Sequence, residues 1–208
     1  MRPLQNRIDP AGALIATPER GSLMGNRGGR FHDCASQSVS GRPYASRQWI
    51  CCRLAFNNRQ RQVWGRGYTE LFFHDEVTAL AAGHRPCFEC RREDAVAFAQ
   101  AWGRATAQTP PQAAQMDRVL QVERLLPRPG YGKRVHPMTL SDLPDGVMIL
   151  HVGKAHALDG GRLRAWSFSG YGPAEALPAQ RMVDVLTPPS IVMCLKQGYR
   201  PGWAHRPE

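Results

Sequence analysis

The sequence predicts an α+β fold in which a small module organised on a Cys-x-x-Cys knuckle precedes a β-rich module. Three observations carry this expectation. A short strand pattern and a capped helix lead into Cys87-Phe88-Glu89-Cys90, an amphipathic helix follows that knuckle, and the last third changes to short apolar runs between glycine turns. Composition agrees, since 208 residues with 42% hydrophobic and 21% charged side chains make an ordinary globular chain of one or two domains.

The elements follow in order. Residues 1–30 are polar and carry glycine and proline, and they predict an irregular N-terminal arm. The glycines of 25–30 are not followed by Lys-Ser or Lys-Thr, so no phosphate loop is present; the segment reads as a turn-rich loop or as a backbone-and-arginine grip on phosphate. The knuckle module spans 31–104. Within it, 49–56 reads as a strand with Ile50, Cys52, Leu54 and Phe56 on one face. Asn57-Asn58 suits a tight turn that returns 59–64 as a hairpin partner, and 68–73 reads as a third strand. Asp75 is placed to N-cap a short helix over 77–82, with Gly83 closing it. After the knuckle, Ala95, Phe98, Ala99 and Trp102 repeat at i, i+3, i+4 and i+7, one buried helical face. Residues 105–115 have linker composition, and 116–208 form the second module. There a helix is expected over 116–126, a basic loop over 127–134, and strands over 147–152, 162–168 and 182–186 around the turn at Asp159-Gly160-Gly161. A final helix over 191–197 is capped by Ser190 and ended by Gly198.

The cysteines direct the functional reading. Six are too few for a disulfide scaffold, and the first residues lack the apolar core of a signal peptide, so a cytoplasmic location and metal-binding thiols are expected. No apolar run reaches the about 18 residues that a membrane span needs, and no membrane partner is expected. Zinc takes four tetrahedral ligands, and a Cys-x-x-Cys turn supplies two of them, Cys87 and Cys90. A redox pair would follow a strand in a βαβ unit, whereas here a short helix and Pro86 come first. Two ordinary buried thiols are the remaining alternative. For the upstream ligands, Cys52 ranks first, then Cys34 and Cys51, then His32, with His84 also near in the chain. On a strand Cys51 and Cys52 point to opposite faces, so they do not readily share one ion, and Cys52 reads also as a core residue.

The stretch over 70–90, ELFFHDEVTALAAGHRPCFEC, resembles the second half of the Ada-type metal-binding domain of DNA methylation-repair regulators. The matching features are a strand containing Phe72, the helix Ala79-Leu80-Ala81-Ala82-Gly83, and Arg85-Pro86-Cys87 with Cys90 three residues on. The resemblance implies that Cys87 and Cys90 bind zinc and that Arg85 contacts the phosphate backbone. It covers 21 of 208 residues. The family's upstream Cys-x-x-x-Cys, one member of which accepts a methyl group from a DNA phosphotriester, has no counterpart; the adjacent Cys51-Cys52 stands upstream instead.

Charge points to a polyanionic partner. The net charge is +10, and all but three of the 27 cations are arginines, whose forks match phosphate. Between Arg20 and Arg66 nine arginines face one acid, Asp33, with Tyr44, Trp49 and Trp64 interleaved. Arg42, Arg47, Arg53, Arg59, Arg61 and Arg66 are the candidate nucleic-acid contacts, with DNA preferred over RNA, and a solvated charged face without a ligand is the plain alternative. Two other function classes stay open. One is an enzyme acting on nucleic acid, either by cysteine methyl acceptance or by metal-assisted phosphodiester hydrolysis using Glu70, Asp75, Glu76 or His84. The other is a structural-zinc adaptor for another protein. Asp75 and Glu76 are also explained as helix cap and dipole partner, and no hydrolase triad is signalled.

Overall fold

A computed structural model of the chain describes residues 2–60, 62–125 and 132–204. These residues form a mixed α+β fold with two six-stranded sheets, a two-stranded ribbon and four α-helices. The first half contributes β1 (Arg7–Ile8), β2 (Leu14–Ile15), β3 (Leu23–Arg27), the ribbon β4 (His32–Asp33) and β5 (Ser38–Val39), β6 (Trp49–Cys52), β7 (Leu71–Phe73), α1 (Glu76–Ala81) and β8 (Arg85–Pro86). The first sheet runs β2-β1-β7-β3-β6-β8, with β6 antiparallel to β3 and parallel to β8.

Two expectations are corrected here. Residues 1–30 are not an irregular arm, because they supply three strands, and β3 lies near the middle of the sheet. A Cβ on Gly25 would stand 2.2 Å from the Ile50 carbonyl oxygen and 2.7 Å from the Phe73 ring, so the close approach of β6 and β7 demands glycine where a strand pattern expects bulk. The hairpin of 49–56 with 59–64 does not form. β6 stops at Cys52, and the described residues of 59–64 hold no strand. Asn57 and Asn58 do turn the chain with φ of 51° and 49°, and the Arg59 amide donates to the Phe56 carbonyl, but the turn leads into a loop.

The helices obey local chemistry. Asp75 caps α1, accepting from the Thr78 amide at 2.9 Å, and Gly83 follows the helix at φ 83°. Helix α2 (Arg92–Thr106) buries Ala95, Phe98, Ala99 and Trp102 as its spacing requires. Helix α3 (Ala113–Arg124) starts three residues earlier than expected, closed by a capping box between Gln112 and Gln115. Residues 127–131 of the expected basic loop and Arg61 lie outside the described residues.

The last third forms β9 (His136–Thr139), a 3-10 turn over Leu140–Asp142, β10 (Met148–His151), β11 (Lys154–Asp159), β12 (Arg162–Ser167), β13 (Gly170–Glu175), β14 (Met182–Val185) and α4 (Pro189–Lys196). Its sheet runs β13-β12-β11-β10-β14-β9. The Gly160-Gly161 turn joins β11 to β12, both glycines having positive φ as a two-residue hairpin loop needs. Pro188, not Ser190, precedes α4; the Ser190 amide and hydroxyl bind Glu123 at 3.0 and 2.6 Å instead. Leu80, Phe98, Trp102, Met116, Leu120, Ile191 and Leu195 pack with Ile149, Leu158 and Val185 in one core, so elements on both sides of 105–115 share it. Among the described residues no helix is long and apolar enough to cross a membrane.

Buried charge ties the elements together. Arg27 and Arg124 both stack on the Trp49 ring, at 3.9 and 4.1 Å from its centre, and donate to the carbonyls of Gly12 and Gly83 respectively. Glu76 receives the Tyr199 hydroxyl at 2.6 Å, the Gly202 amide at 2.9 Å and the Arg91 guanidinium at 2.8 Å. Glu76→Gln leaves the buried Arg91 cation with Asp94, 2.9 Å away, as its remaining carboxylate, and urea denaturation is expected to show a loss of about 1.5–3 kcal/mol. Tyr199→Phe, which removes one hydrogen bond to that carboxylate, is expected to cost about 1.5–3 kcal/mol in the same assay.

Candidate metal centre

Cys52 ends β6, Cys87 directly follows β8, and Cys90 closes the turn that opens α2. Parallel pairing of β6 with β8 sets Cys51 beside Pro86, and the Cys87 amide donates to the Cys51 carbonyl at 3.0 Å. The chain then turns tightly, with the Arg91 amide bonded to the Cys87 carbonyl at 3.0 Å. The result places the sulfurs of Cys52, Cys87 and Cys90 within 4.8 Å of one another. Metal–sulfur bonds of about 2.3 Å give tetrahedral edges of about 3.8 Å, so this group could hold a thiophilic ion. Met24, Ile50, Phe56, Tyr68 and Phe72 pack around it.

A hydrogen bond from Cys52 and backbone amides hold Cys87 below the ordinary thiol range, despite burial. The same bond to Cys87 and then burial push Cys52 up, while burial first and the Cys87 charge push Cys90 up. A bound cation would displace whatever protons the three sulfurs carry.

The other expected ligands lie elsewhere. Cys51 points to the opposite face of β6, into the core with Ile8, Leu71 and Phe73, where its sulfur accepts from Arg91 at 3.5 Å and burial raises its pKa. Cys34 is exposed and donates to the Gly65 carbonyl at 3.0 Å. His32 is stacked on Trp64 and holds the Thr69 hydroxyl and Gly65 carbonyl through its two nitrogens. His84 is fully buried between Trp49 and Phe73, its Nε2 receiving Arg27 at 3.3 Å. Of the hydrolytic candidates, Asp75 and Glu76 are occupied at the start of α1, and only Glu70 reaches the cysteine cavity.

That cavity, about 320 Å³, is lined by all three cysteines with Met24, Asn26, Tyr68, Phe72, Glu70, Arg53 and Arg59 among others. Met24 and Asn26 escaped the sequence reading because they sit on β3, which no alternation announces.

The arginines divide. Arg85 is buried and paired with Asp117 through two hydrogen bonds of 2.9 and 2.8 Å, so it is a structural fork and not a surface contact. Arg53 and Arg59 line the cysteine cavity, and Arg59 pairs with Glu89. Arg66 is exposed beside the loop around Gly65. Arg42 and Arg47 line a second groove of about 870 Å³ between residues 42–48 and α3, joined there by Arg118. Arg118 was missed, although Ala114, Arg118 and Gln121 share one helical face at i, i+4 and i+7.

Elemental analysis of protein purified without chelator is expected to give about one metal ion per chain, and Cys52→Ser, Cys87→Ser or Cys90→Ser each to lose it. Cys34→Ser and Cys51→Ala are expected to keep it. Affinity is expected to fall as pH falls, because each ligating thiol must give up its proton. Comparison with family models, with curated proteins and with solved structures finds no match to this chain.

Proposed function

We propose that this is a cytoplasmic zinc protein that binds nucleic acid, DNA in preference to RNA. The observation that carries the metal half is the meeting of three buried thiols from β6 and the knuckle, a donor set that suits zinc better than harder cations. The Ada-type resemblance over 70–90 supports the same reading and supplies the preference for DNA. All six cysteines are unpaired, which agrees with a reducing compartment. Zinc there would crosslink β6 to the start of α2 and so hold the knuckle in place.

The second half rests on the groove between residues 42–48 and α3. Arg42, Arg47 and Arg118 are exposed along it, and Tyr44 offers a ring on which Arg42 already stacks at 4.8 Å. Exposed guanidinium groups beside an aromatic ring suit a phosphate backbone with an unstacked base.

Fluorescence anisotropy with labelled DNA and RNA oligonucleotides tests this. Binding is expected to weaken steeply with salt, and the triple variant Arg42→Glu, Arg47→Glu, Arg118→Glu is expected to flatten the log–log salt slope by about 2–3, near 0.7–0.9 for each lost phosphate contact. An unchanged slope would move the interface away from this groove, and no binding at low salt would favour the protein-adaptor reading.

A further inference from the structure

We propose that the metal held by Cys52, Cys87 and Cys90 has a fourth coordination position open to the adjoining cavity, and that a small thiol entering there becomes its fourth ligand. This rests on the metal reading above and goes beyond it, from a closed crosslink to an exchangeable site.

Among the described residues, three sulfurs meet without a fourth donor: no other cysteine, histidine or carboxylate joins the group. Three of the oxygen-bearing side chains that line the cavity have partners elsewhere: Asn26 accepts the Gly28 amide at 2.9 Å, Glu70 accepts the Trp64 amide at 2.9 Å through Oε2, and Glu89 pairs with Arg59. Nor is the cluster sealed. Cys52, Cys87 and Cys90 keep 7–9% exposure and all three line the cavity, whereas Cys51 and Cys194, the truly enclosed thiols, keep 1% and 0%.

The chemistry of the cavity selects the ligand. Three thiolates make the ion soft, so sulfur is favoured over oxygen at the last corner. Phe72, Tyr68, Ile50 and Met24 give apolar walls for an organic body, and Arg53 lines the same cavity as a cation, Arg59 being paired with Glu89. In the exchange the solvent ligand leaves, the incoming sulfur binds as thiolate, and its proton goes to solvent. No electron is transferred and no covalent bond in the protein changes.

Cobalt(II) substitution reads this directly. Protein loaded with one cobalt ion is titrated with 2-mercaptoethanol and with thiophenol while its absorption is recorded. The expected result is a saturable shift of the visible d–d bands with a rise of about one third in sulfur-to-cobalt charge-transfer intensity, the ratio of four thiolates to three. Val63→Phe, which narrows the cavity from a loop without touching the sulfurs, is expected to retain cobalt and to weaken the thiol response at least tenfold. Cobalt uptake with a spectrum insensitive to thiol would overturn the open position while leaving the metal site intact. Loss of cobalt to the added thiol would overturn it as well. Failure to take up cobalt or zinc at all would overturn the metal reading and this inference together.

Discussion

The candidate site depends on the alternation of four side chains along β6. Trp49 and Cys51 face one way and Ile50 and Cys52 the other, because successive residues of a strand lie on opposite sides of the sheet. Antiparallel pairing with β3 and parallel pairing with β8 fix this register from both edges, Met24 opposite Cys52 and Ile50 opposite Arg85. A slip of one residue would deliver Cys51 to the knuckle, strip Arg91 of its sulfur partner and turn Trp49 away from Arg27 and Arg124. Two adjacent cysteines therefore have unrelated environments, one in a wall of packed apolar groups and one at a shared vertex with Cys87 and Cys90.

The reverse face of β6 explains how the chain tolerates so much interior charge. Arg27, Arg85, Arg91 and Arg124 are all buried, and each is met by a defined partner: carbonyls and the Trp49 ring for Arg27 and Arg124, Asp117 for Arg85, Glu76 for Arg91. Moving a charge out of water costs several kcal/mol even after relaxation, so these partners are obligatory rather than decorative. The interior cations are thus part of the scaffold. Arg42, Arg47 and Arg118 line the groove beside α3, and Arg53 and Arg59 line the cysteine cavity. A count of arginines in the sequence overstates the charge left at the surface, because a guanidinium group can also be buried against carbonyls, rings and carboxylates.

Much of the local structure was legible in the residues. The capped helix after Asp75, the buried stripe of α2, the strands near 147–152, 162–168 and 182–186, and the opposite orientations of Cys51 and Cys52 all follow from short-range rules. What escaped was long-range. β3 is broken in pattern by Gly25, whose absence of a side chain is required only once β6 and β7 are pressed against it. The return strand over 59–64 was expected because Asn57-Asn58 does turn, yet the pairing edges of β6 were claimed by β3 and β8, from residues far away in the chain. Arg85 looked like a contact for phosphate until Asp117, 32 residues on, was brought against it. Tertiary partners decide such cases, and local spacing holds no record of them.

The pairing of Glu76 with Tyr199 and Gly202 spans 123 and 126 residues of chain. During synthesis the knuckle and α1 therefore leave the ribosome long before the segment that completes their carboxylate. The carboxylate that anchors the start of α1 and the guanidinium next to Cys90 is completed only by a segment more than a hundred residues downstream.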